Sequence, residues 1–267
     1  MLNNKKIIVI IPCYKVRKQI ETVINKVPMF VDNIIVVDDA CPEHSGALIE
    51  SLNNSKIIVL YHQQNQGVGG AMATGFKHAL KLKFDFIVKI DGDGQMDLSQ
   101  MHRLIAPLEQ GFDYVKGNRF IHFETLRAMP KTRLIGNSLL SFMIKISSGY
   151  WFISDVVNGY VAINRQALKT INLDKISKRY FFESDMINQL GIYRLLLKEV
   201  AMPSVYADEK SSMSLFKVLF SFPGKIFKGF VRRVLLQYFI YDFNMASVYL
   251  LFGVPMLIWG SLFGIYP

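Results

Sequence analysis

The sequence predicts an α/β domain built on a mostly parallel β-sheet that is covered by helices on both faces. The first half of the chain alternates short, nearly continuous apolar runs with segments of helical length and periodicity. The apolar runs lack the alternation of a half-exposed strand, so each strand is expected to be buried on both faces, as in parallel sheets. Polar residues directly follow several runs, at the strand ends where ligands bind in such sheets.

The individual elements are predicted from this pattern. Four strands are expected in the first half, at Ile7–Ile11, Ile34–Val37, Ile57–Leu60 and Phe84–Ile90. Helices are expected at Val16–Val27 and from the glycine-rich stretch Gln63–Gly70 to about Lys81. The second half is less regular, and we expect strands at Phe112–Lys116 and Val156–Ile163 and helices at Arg133–Ser148 and Ser184–Leu196.

The C-terminal part of the chain differs in composition from the rest. Residues 243–267 contain no charged residue over 25 positions, which is long enough to cross the roughly 30 Å hydrocarbon core as a helix. Residues 213–242 are aromatic and basic, with helical breaks expected at Pro223 and Gly224. We therefore expect the α/β domain at 1–212, amphipathic membrane-interface helices at 213–242 and a transmembrane segment at 243–267. A buried core helix or a re-entrant hairpin is the alternative for the last segment.

The positive charge is placed to suit a membrane. The formal net charge is +10, and residues 210–241 carry six basic residues and no acidic one, interleaved with Phe, Leu, Val and Ile. This mixture favours an anionic lipid surface over a nucleic acid. Arg232 and Arg233 precede the apolar stretch and no basic residue follows it, so the positive-inside bias predicts that the α/β domain is cytoplasmic. Aromatic surface near the membrane also favours self-association.

The cysteines and the N-terminus exclude other classes. Cys13 and Cys41 are the two cysteines, without CxxC or His/Cys ligand spacing, so free thiols in a reducing compartment are expected instead of disulfides or zinc. The apolar run near the N-terminus is too short for a signal peptide and lacks a small-residue cleavage site.

The segment Asp91-Gly92-Asp93-Gly94-Gln95 is the strongest chemical motif. Two carboxylates separated by one residue, after the predicted strand Phe84–Ile90, can share a divalent cation whose other ligands are diphosphate oxygens. Asp38 and Asp39 follow another predicted strand, which favours a metal site over a solvated turn.

Other candidate residues have weaker patterns. In the glycine-rich stretch, the third glycine of GxGxxG counted from Gly67 would fall at Met72, and no GK[ST] follows, so a dinucleotide fold or P-loop is disfavoured. A loop entering a helix N-terminus still suits phosphate, or close backbone packing. Arg119 and Arg133 are of the residue type that binds phosphate bidentately, with surface arginines as the alternative.

Together these motifs resemble the family 2 glycosyltransferases of the GT-A fold, and among them the polyprenyl-phosphate glycosyltransferases. The resemblance covers roughly residues 5–212. The matching stretches are Ile10-Ile11-Pro12-Cys13-Tyr14, Val36-Val37-Asp38-Asp39, Asn65-Gln66-Gly67, Asp91-Gly92-Asp93-Gly94-Gln95, Gly117-Asn118-Arg119-Phe120 and Asn158-Gly159-Tyr160. In combination they are highly specific for the family, though not for the sugar.

The resemblance implies roles for particular residues. It implies a nucleotide-sugar pocket formed by Pro12, Tyr14, Asp38, Asp39, Gly67, Asp91, Gly92 and Asp93. It implies an Mg²⁺ or Mn²⁺ site at Asp91, Asp93 and Gln95, and catalytic roles for Asp91, Asp93, Arg119 and Arg133, of which the two arginines hold the acceptor phosphate. It places Asp155 and Asn158, and more loosely Glu183 and Asp185, on the acceptor and sugar side.

Two stretches depart from the family pattern. The family often has DPxSGF where this chain has Asp155–Tyr160, and often an arginine-containing loop where this chain has Asp208–Ser212, with Lys210 as its basic residue. Members also often have two or more transmembrane helices, whereas the C-terminal stretch has room for one.

The reaction implied is an inverting transfer of sugar from a UDP- or GDP-sugar to a polyprenyl phosphate, undecaprenyl or dolichyl. A different lipid or a polysaccharide acceptor is the alternative, although the QxxRW motif of processive synthases is missing. A sugar nucleotidyltransferase usually has a basic glycine-rich loop after its first strand, which is absent at Pro12–Val16. A membrane-anchored binding or scaffold protein is disfavoured by the intact Asp91 and Asp93.

Overall fold

The computed structural model describes residues 3–121, 131–202 and 215–265. Within these ranges seven strands form one sheet in the order β3-β2-β1-β4-β6-β5-β7. The strands are β1 (Ile7–Cys13), β2 (Asn33–Asp38), β3 (Ile57–Tyr61), β4 (Phe86–Lys89), β5 (Tyr114–Asn118), β6 (Val161–Asn164) and β7 (Leu197–Ala201). Only β6 runs antiparallel to its neighbours, β4 and β5. The predicted α/β class with a mostly parallel sheet is therefore confirmed.

Helices connect the strands and extend beyond them. The α-helices are α1 (Arg17–Asn25), α2 (Ser45–Glu50), α3 (Val68–Leu80), α4 (Met101–Glu109), α5 (Lys131–Ser148), α6 (Arg165–Thr170), α7 (Phe182–Ile192), α8 (Leu215–Leu235) and α9 (Met245–Ile265). A π-helical turn, Leu236–Ile240, continues α8. The sequence pattern had not predicted α2, α4 or α6.

Both faces of the sheet are covered, as the apolar runs predicted. Successive residues of β1 enter different cores: Ile10 packs in a cluster that includes Phe76 of α3, and Ile11 in one that includes Ile20 of α1. Ile10, Ile11 and Ile20 have no exposed area. Since burying such a side chain stabilises the fold by roughly 1.5–3 kcal/mol, a strand apolar on both faces stays at the centre of the sheet.

Two predictions in the second half were wrong. The predicted strand Val156–Ile163 forms only as β6, and the residues before Val161 are a loop. The predicted helix Ser184–Leu196 ends at Ile192, and the strand β7 that follows was not predicted. The loop escaped detection because Val156 is buried in the core, so its apolar side chain extends the strand-like pattern into a segment that makes no ladder.

The helical breaks expected at Pro223 and Gly224 do not occur. Helix α8 runs continuously through both residues. Proline inside a helix costs about 3 kcal/mol relative to alanine. Both residues lie on the exposed side of α8, whereas Phe222 and Ile226 are buried, and the ring of Phe222 packs edge-on against Phe181 at 5.0 Å. We attribute the continuity of α8 to this buried stripe.

Helix α9 is the one helix of the described ranges that is long and apolar enough to cross a membrane. Its candidate span is Met245–Gly264, and only 6% of the most apolar window is buried by the rest of the protein. The alternative of a buried core helix is therefore wrong, because the apolar side chains face outward. Pro255 lies within α9 without ending it.

Candidate active site

The polar motifs lie at the carboxyl ends of the strands, as the parallel sheet requires. Cys13 at the end of β1 pairs with Asp38 at the end of β2, and β4 beside β1 ends at Lys89, two residues before Asp91. A small cleft of about 100 Å³ opens at this edge. It is lined by Asp91, Asp93, Gln95, Met96, Arg119, Val157, Asn158, Gly159, Tyr160 and Met202. The structure thus brings together the acidic motif, one predicted arginine and the predicted acceptor-side residue Asn158.

The acidic motif turns tightly after β4. The amide of Gln95 donates to Asp93 Oδ1 at 3.0 Å, and Gly94 has a φ of +78°, a left-handed conformation that favours glycine. A Cβ atom at Gly92 would lie 3.1 Å from Val16 Cγ2, so the motif packs closely on the entry to α1. Asp91 and Asp93 consequently share one cleft.

The donor set of the cleft fits a hard divalent cation. Asp91 and Asp93 supply carboxylate oxygens, and Gln95 lines the same cleft. Within the described part of the chain no group of three or more His, Cys, Asp or Glu side chains could hold a metal. Mg²⁺ typically takes only one or two protein carboxylates and completes its octahedron with water and substrate phosphates.

Asp38 and Asp39 are both buried and bind backbone amides. The carboxylate of Asp38 accepts from Cys41 N and Gly46 N, each at 2.7 Å. Asp38 therefore holds the segment after β2, and its two oxygens are directed at the protein.

Asp39 fixes the glycine-rich loop. Its carboxylate accepts from Gln66 N at 2.8 Å and Gly67 N at 2.7 Å, and it lies 2.6 Å from His62 Nδ1. Gly67 has a φ of +83°, and a Cβ atom there would lie 2.8 Å from the carbonyl oxygen of Lys178. The structure therefore explains this glycine by close backbone packing at the start of α3.

The two remaining residues of the predicted nucleotide pocket lie at the end of β1. Pro12 pairs with Val37 of β2, so its position is fixed by the sheet. Tyr14 is 43% exposed, and the Nζ of Lys15 lies 5.5 Å from its ring centroid. An exposed aromatic ring at this edge offers a surface on which a base can stack.

Arg119 forms a bidentate ion pair with Asp155. Its Nε and Nη2 donate to the two carboxylate oxygens of Asp155 at 2.7 and 2.8 Å, and its backbone amide also donates to Asp155. Asp155 is fully buried, whereas the Arg119 side chain is 15% exposed and lines the cleft. Arg133 lies in the first turn of α5, but its side chain lies outside the described residues, as does Lys210.

Glu183 and Asp185 separate in the structure. Glu183 Oε1 lies 3.3 Å from the Nζ of Lys89, which in turn donates to Asp91 Oδ1 at 2.8 Å, so Glu183 joins the site. Asp185 instead accepts from the amide of Ser177 at 2.7 Å, and its burial raises the pKa of its carboxyl. Asp185 thus holds the segment before α7 and does not join the cleft.

Sequence analysis missed two buried lysines, Lys89 and Lys116, which are 1% and 0% exposed. Burial lowers the pKa of Lys89, but the charges of Asp91 and Glu183 outweigh it, so this pKa lies above its usual range. Burial lowers the pKa of Lys116 to about 8, against the opposing effect of Asp155 and other carboxylates. Each lysine interrupts an apolar strand shortly before a motif, which is the one sequence feature that could have identified them.

The architecture and the cleft define a class of protein. A mostly parallel seven-stranded sheet with an Asp-Gly-Asp motif at its carboxyl edge is the arrangement of a GT-A glycosyltransferase domain. A comparison with family models gives the specific assignment. The chain belongs to glycosyl transferase family 2, whose model matches residues 8–171.

Relatives and solved structures agree with this family. The chain is 32% identical to the UDP-N-acetylglucosamine–dolichyl-phosphate N-acetylglucosaminyltransferase of Methanococcus voltae, over 77% of this chain and 88% of that protein. It is 29% identical to the polyprenol monophosphomannose synthase of Mycolicibacterium smegmatis, over 68% and 71%. It superposes on glucosyl-3-phosphoglycerate synthase from Mycobacterium tuberculosis, a complex with Mn²⁺, UDP-glucose and phosphoglyceric acid, with a TM-score of 0.62 at 18% identity, covering 86% and 80%. This last likeness supports the fold alone.

Proposed function

We propose that the protein transfers a sugar, with inversion, from a UDP- or GDP-sugar to a polyprenyl phosphate at the cytoplasmic face of a membrane. The observation that carries this proposal is the placement of the acidic pair Asp91 and Asp93 and the arginine Arg119 in one cleft. A divalent cation bound by the acidic pair would balance the charge of a donor diphosphate. The guanidinium group of Arg119 would bind an anionic acceptor. The relatives from M. voltae and M. smegmatis are named as transferases of the same general kind.

On the donor side, Asp91 and Asp93 would hold Mg²⁺ or Mn²⁺, with Gln95 beside them. Such an ion, when bound, supplies positive charge for the departing diphosphate. Tyr14, exposed at the end of β1, would stack on the base. Asp38 and Asp39 would act indirectly, by holding the backbone around Gly46 and Gly67 in place.

On the acceptor side, little activation is needed. A phosphate monoester has its second pKa near 6, so at pH 7 it is already an anionic nucleophile. Arg119 would position this group, together with Arg133. Because Asp155 binds two of the Arg119 nitrogen atoms, the guanidinium plane is fixed before the acceptor arrives. Fixing the reactants in this way is worth several kcal/mol in transfer reactions.

The surface of α5 supports a location on the membrane. The helix exposes an apolar stripe, Ile135, Leu139, Phe142 and Ile146, and buries the serines Ser141, Ser147 and Ser148. A helix in contact with water would expose polar side chains along such a stripe. The neighbouring α8 exposes Phe227, Val231 and Leu235 together with Lys225 and Lys228. We propose that these two faces lie in the interface of the bilayer, beside the span formed by α9.

The testing experiment is transfer from a panel of radiolabelled UDP- and GDP-sugars to undecaprenyl phosphate in detergent, with Mn²⁺ or Mg²⁺ and with EDTA. A lipid-extractable product that disappears with EDTA is expected, and it would identify the sugar. Binding or hydrolysis of donor without any lipid product would exclude a polyprenyl phosphate acceptor.

A further inference from the structure

A row of charged side chains, the two lysines buried and the glutamate half-buried, crosses the sheet beneath the cleft. Lys89 of β4 and Lys116 of β5 both pair with Val161 of the intervening β6, and Lys116 pairs on its other side with Glu199 of β7. In-register neighbours project to the same face of a sheet. Lys89, Lys116 and Glu199 therefore lie on one face, in the part of the fold where apolar side chains would be expected.

This row contacts the backbone of the loop that precedes β6. The ammonium group of Lys116 donates to the carbonyl oxygen of Asn158, and that of Lys89 lies 3.3 Å from the carbonyl oxygen of Gly159. The carboxylate of Glu199 accepts from the amides of Ser154 and Asp155 at 3.0 and 3.1 Å. We call residues 154–160 the acceptor loop. It is held at four backbone groups by charged side chains from the sheet below.

The acceptor loop forms one wall of the cleft and carries the partner of Arg119. Asn158 and Gly159 line the cleft opposite the acidic motif, and Asp155 forms the bidentate pair with Arg119. A shift of the loop would consequently change the direction of the Arg119 guanidinium. The loop is joined to β5 by one backbone hydrogen bond, from Gly117 N to the carbonyl oxygen of Tyr160 at 2.9 Å. The position of residues 154–159 therefore depends on the side chains that hold them.

Burying the charged groups of this row lowers the stability of the fold. Removing one charged group from water costs several kcal/mol even in real proteins, and apolar side chains of similar volume are often more stable. The ion pairs of Lys89 with Asp91 at 2.8 Å and Glu183 at 3.3 Å offset part of that cost. A stable sheet does not require lysine at position 89 or 116. We therefore infer that the two lysines act on the loop.

We propose that Lys89 and Lys116 are positioning residues, whose ammonium groups hold the acceptor loop by its carbonyl oxygens and thereby set the direction of Arg119 for the acceptor phosphate. Lys89 has a second contact, with Asp91, and so joins the loop to the acidic motif. Among the described residues the ammonium group of Lys116 donates to the acceptor loop and not to the acidic motif, which makes it the sharper residue to test. The inference rests on the proposed function for its kinetic part.

The test compares Lys116→Met with Lys198→Met, the same change at a residue of β7 whose Nζ lies over the ring of Phe112 and outside the row. We expect Lys116→Met to raise the KM for undecaprenyl phosphate by about tenfold or more, because the arginine is misdirected. Binding of UDP and GDP with Mn²⁺, measured by calorimetry, should stay within about twofold of wild type. Lys198→Met should change neither quantity. Equal acceptor KM values for the two variants would refute the proposal.

A structural measurement separates this inference from the proposed function. Hydrogen exchange of peptides covering the acceptor loop, read by mass spectrometry, should be faster in Lys116→Met than in wild type and unchanged in Lys198→Met. If wild type transfers no sugar to undecaprenyl phosphate, the proposed function fails, but the exchange still tests the loop. If Lys116→Met does not fold, Lys116→Gln, whose side chain is uncharged and too short to reach the same carbonyl oxygen of Asn158, provides the same comparison. Unchanged exchange in the variant that folds would overturn the inference.

Discussion

Asp93 is the residue whose charge the proposed reaction needs most directly. It lines the cleft and is separated from Asp91 by a single glycine. Replacing it with Asn keeps the shape and removes one negative charge from the proposed metal site. We expect Asp93→Asn to reduce turnover by about 100-fold or more, the size of effect seen when one transition-state stabilising group is lost. The measurement is kcat in the transfer assay at saturating Mn²⁺.

The matched control is Asp97→Asn, in the same segment. Asp97 accepts from the amide of Ser99 at 3.0 Å and caps the short 3-10 turn Leu98–Gln100, without lining the cleft. Because asparagine caps a helix as well as aspartate does, its replacement should leave both stability and turnover close to wild type. Similar turnover for Asp93→Asn and wild type would contradict the proposed mechanism.

Lys116 predicts a pH dependence of stability. Burial lowers its pKa from 10.5 to about 8, so between these values the folded protein binds fewer protons than the unfolded chain. Stability from this residue therefore rises with pH over that window, by at most about 3 kcal/mol at 1.36 kcal/mol per pKa unit. Lys116→Met lacks this contribution. The stability of wild type relative to Lys116→Met should thus improve between pH 7.5 and 10.5, measured by thermal unfolding in detergent.

The comparison with Lys198→Met makes that experiment specific. Tyrosines such as Tyr61, whose pKa is raised to about 12, also titrate late and affect all variants alike. Of the two stability differences from wild type, only that of Lys116→Met should change with pH. If the stability difference between wild type and Lys198→Met changed with pH in the same way, Lys116 would not be the source of the pH dependence.

At the residue scale, the sequence allowed prediction of groups that follow strands but not of groups buried within them. Asp91 and Asp93 were predictable because two carboxylates directly after a buried strand lie where ligands bind in a parallel sheet. Lys89 and Lys116 were not, since a lysine in a strand normally indicates an exposed edge. Their burial depends on carboxylates such as Glu183 and Glu199, which are distant in sequence.

At the element scale, α5 and the residues after it predict a membrane contact outside the C-terminal span. Trp151 and Phe152 follow α5 and are 63% and 54% exposed. Tryptophan favours the membrane–water interface. The chain has two tryptophans, so Trp259→Phe leaves Trp151 as the only one. In vesicles we expect its fluorescence to be quenched more by lipids brominated near the headgroup than by lipids brominated near the chain ends.

Trp151→Phe is the complementary variant. It leaves Trp259, which lies within the candidate span Met245–Gly264 and should report from inside the bilayer. If Trp151 is quenched by neither lipid while Trp259 is quenched, the α5 face does not lie on the membrane, and only α9 remains as a contact.

Element boundaries show why the second half of the fold was harder to predict than the first. The strands β1 to β3 are apolar on both faces, and their positions agree with the prediction to within two residues. By contrast, β7 has Lys198 and Glu199 in its centre, and the carboxylate of Glu199 accepts from an amide of the acceptor loop. That loop itself was mistaken for a strand. Tertiary contacts outweigh local pattern in both cases.

At the scale of the whole molecule, the site is a product of topology. The acidic motif follows β4 and Arg119 follows β5, and the antiparallel β6 lies between these two strands. Insertion of β6 therefore brings the acceptor loop, which directly precedes it, between the donor and acceptor sides of the cleft. The motifs could be identified from the sequence, but the order of the strands could not. The sequence therefore did not indicate which motifs lie next to one another.

The orientation of the whole molecule in the membrane is also testable. Arg232 and Arg233 lie at the end of α8, before the uncharged residues 243–267. Arg233 is buried and donates to the carbonyl oxygens of Ser147 and Ile146 at the end of α5, so part of this positive charge is fixed to the catalytic domain. If these basic residues stay on the cytoplasmic side, the catalytic domain that is fixed to them lies on the same side. In cells expressing the protein, protease added to inverted membrane vesicles should digest the domain, whereas right-side-out vesicles should protect it. Digestion in right-side-out vesicles alone would place the cleft on the opposite side, where nucleotide-sugars made in the cytoplasm could not reach it, and would exclude the proposed reaction in the cell.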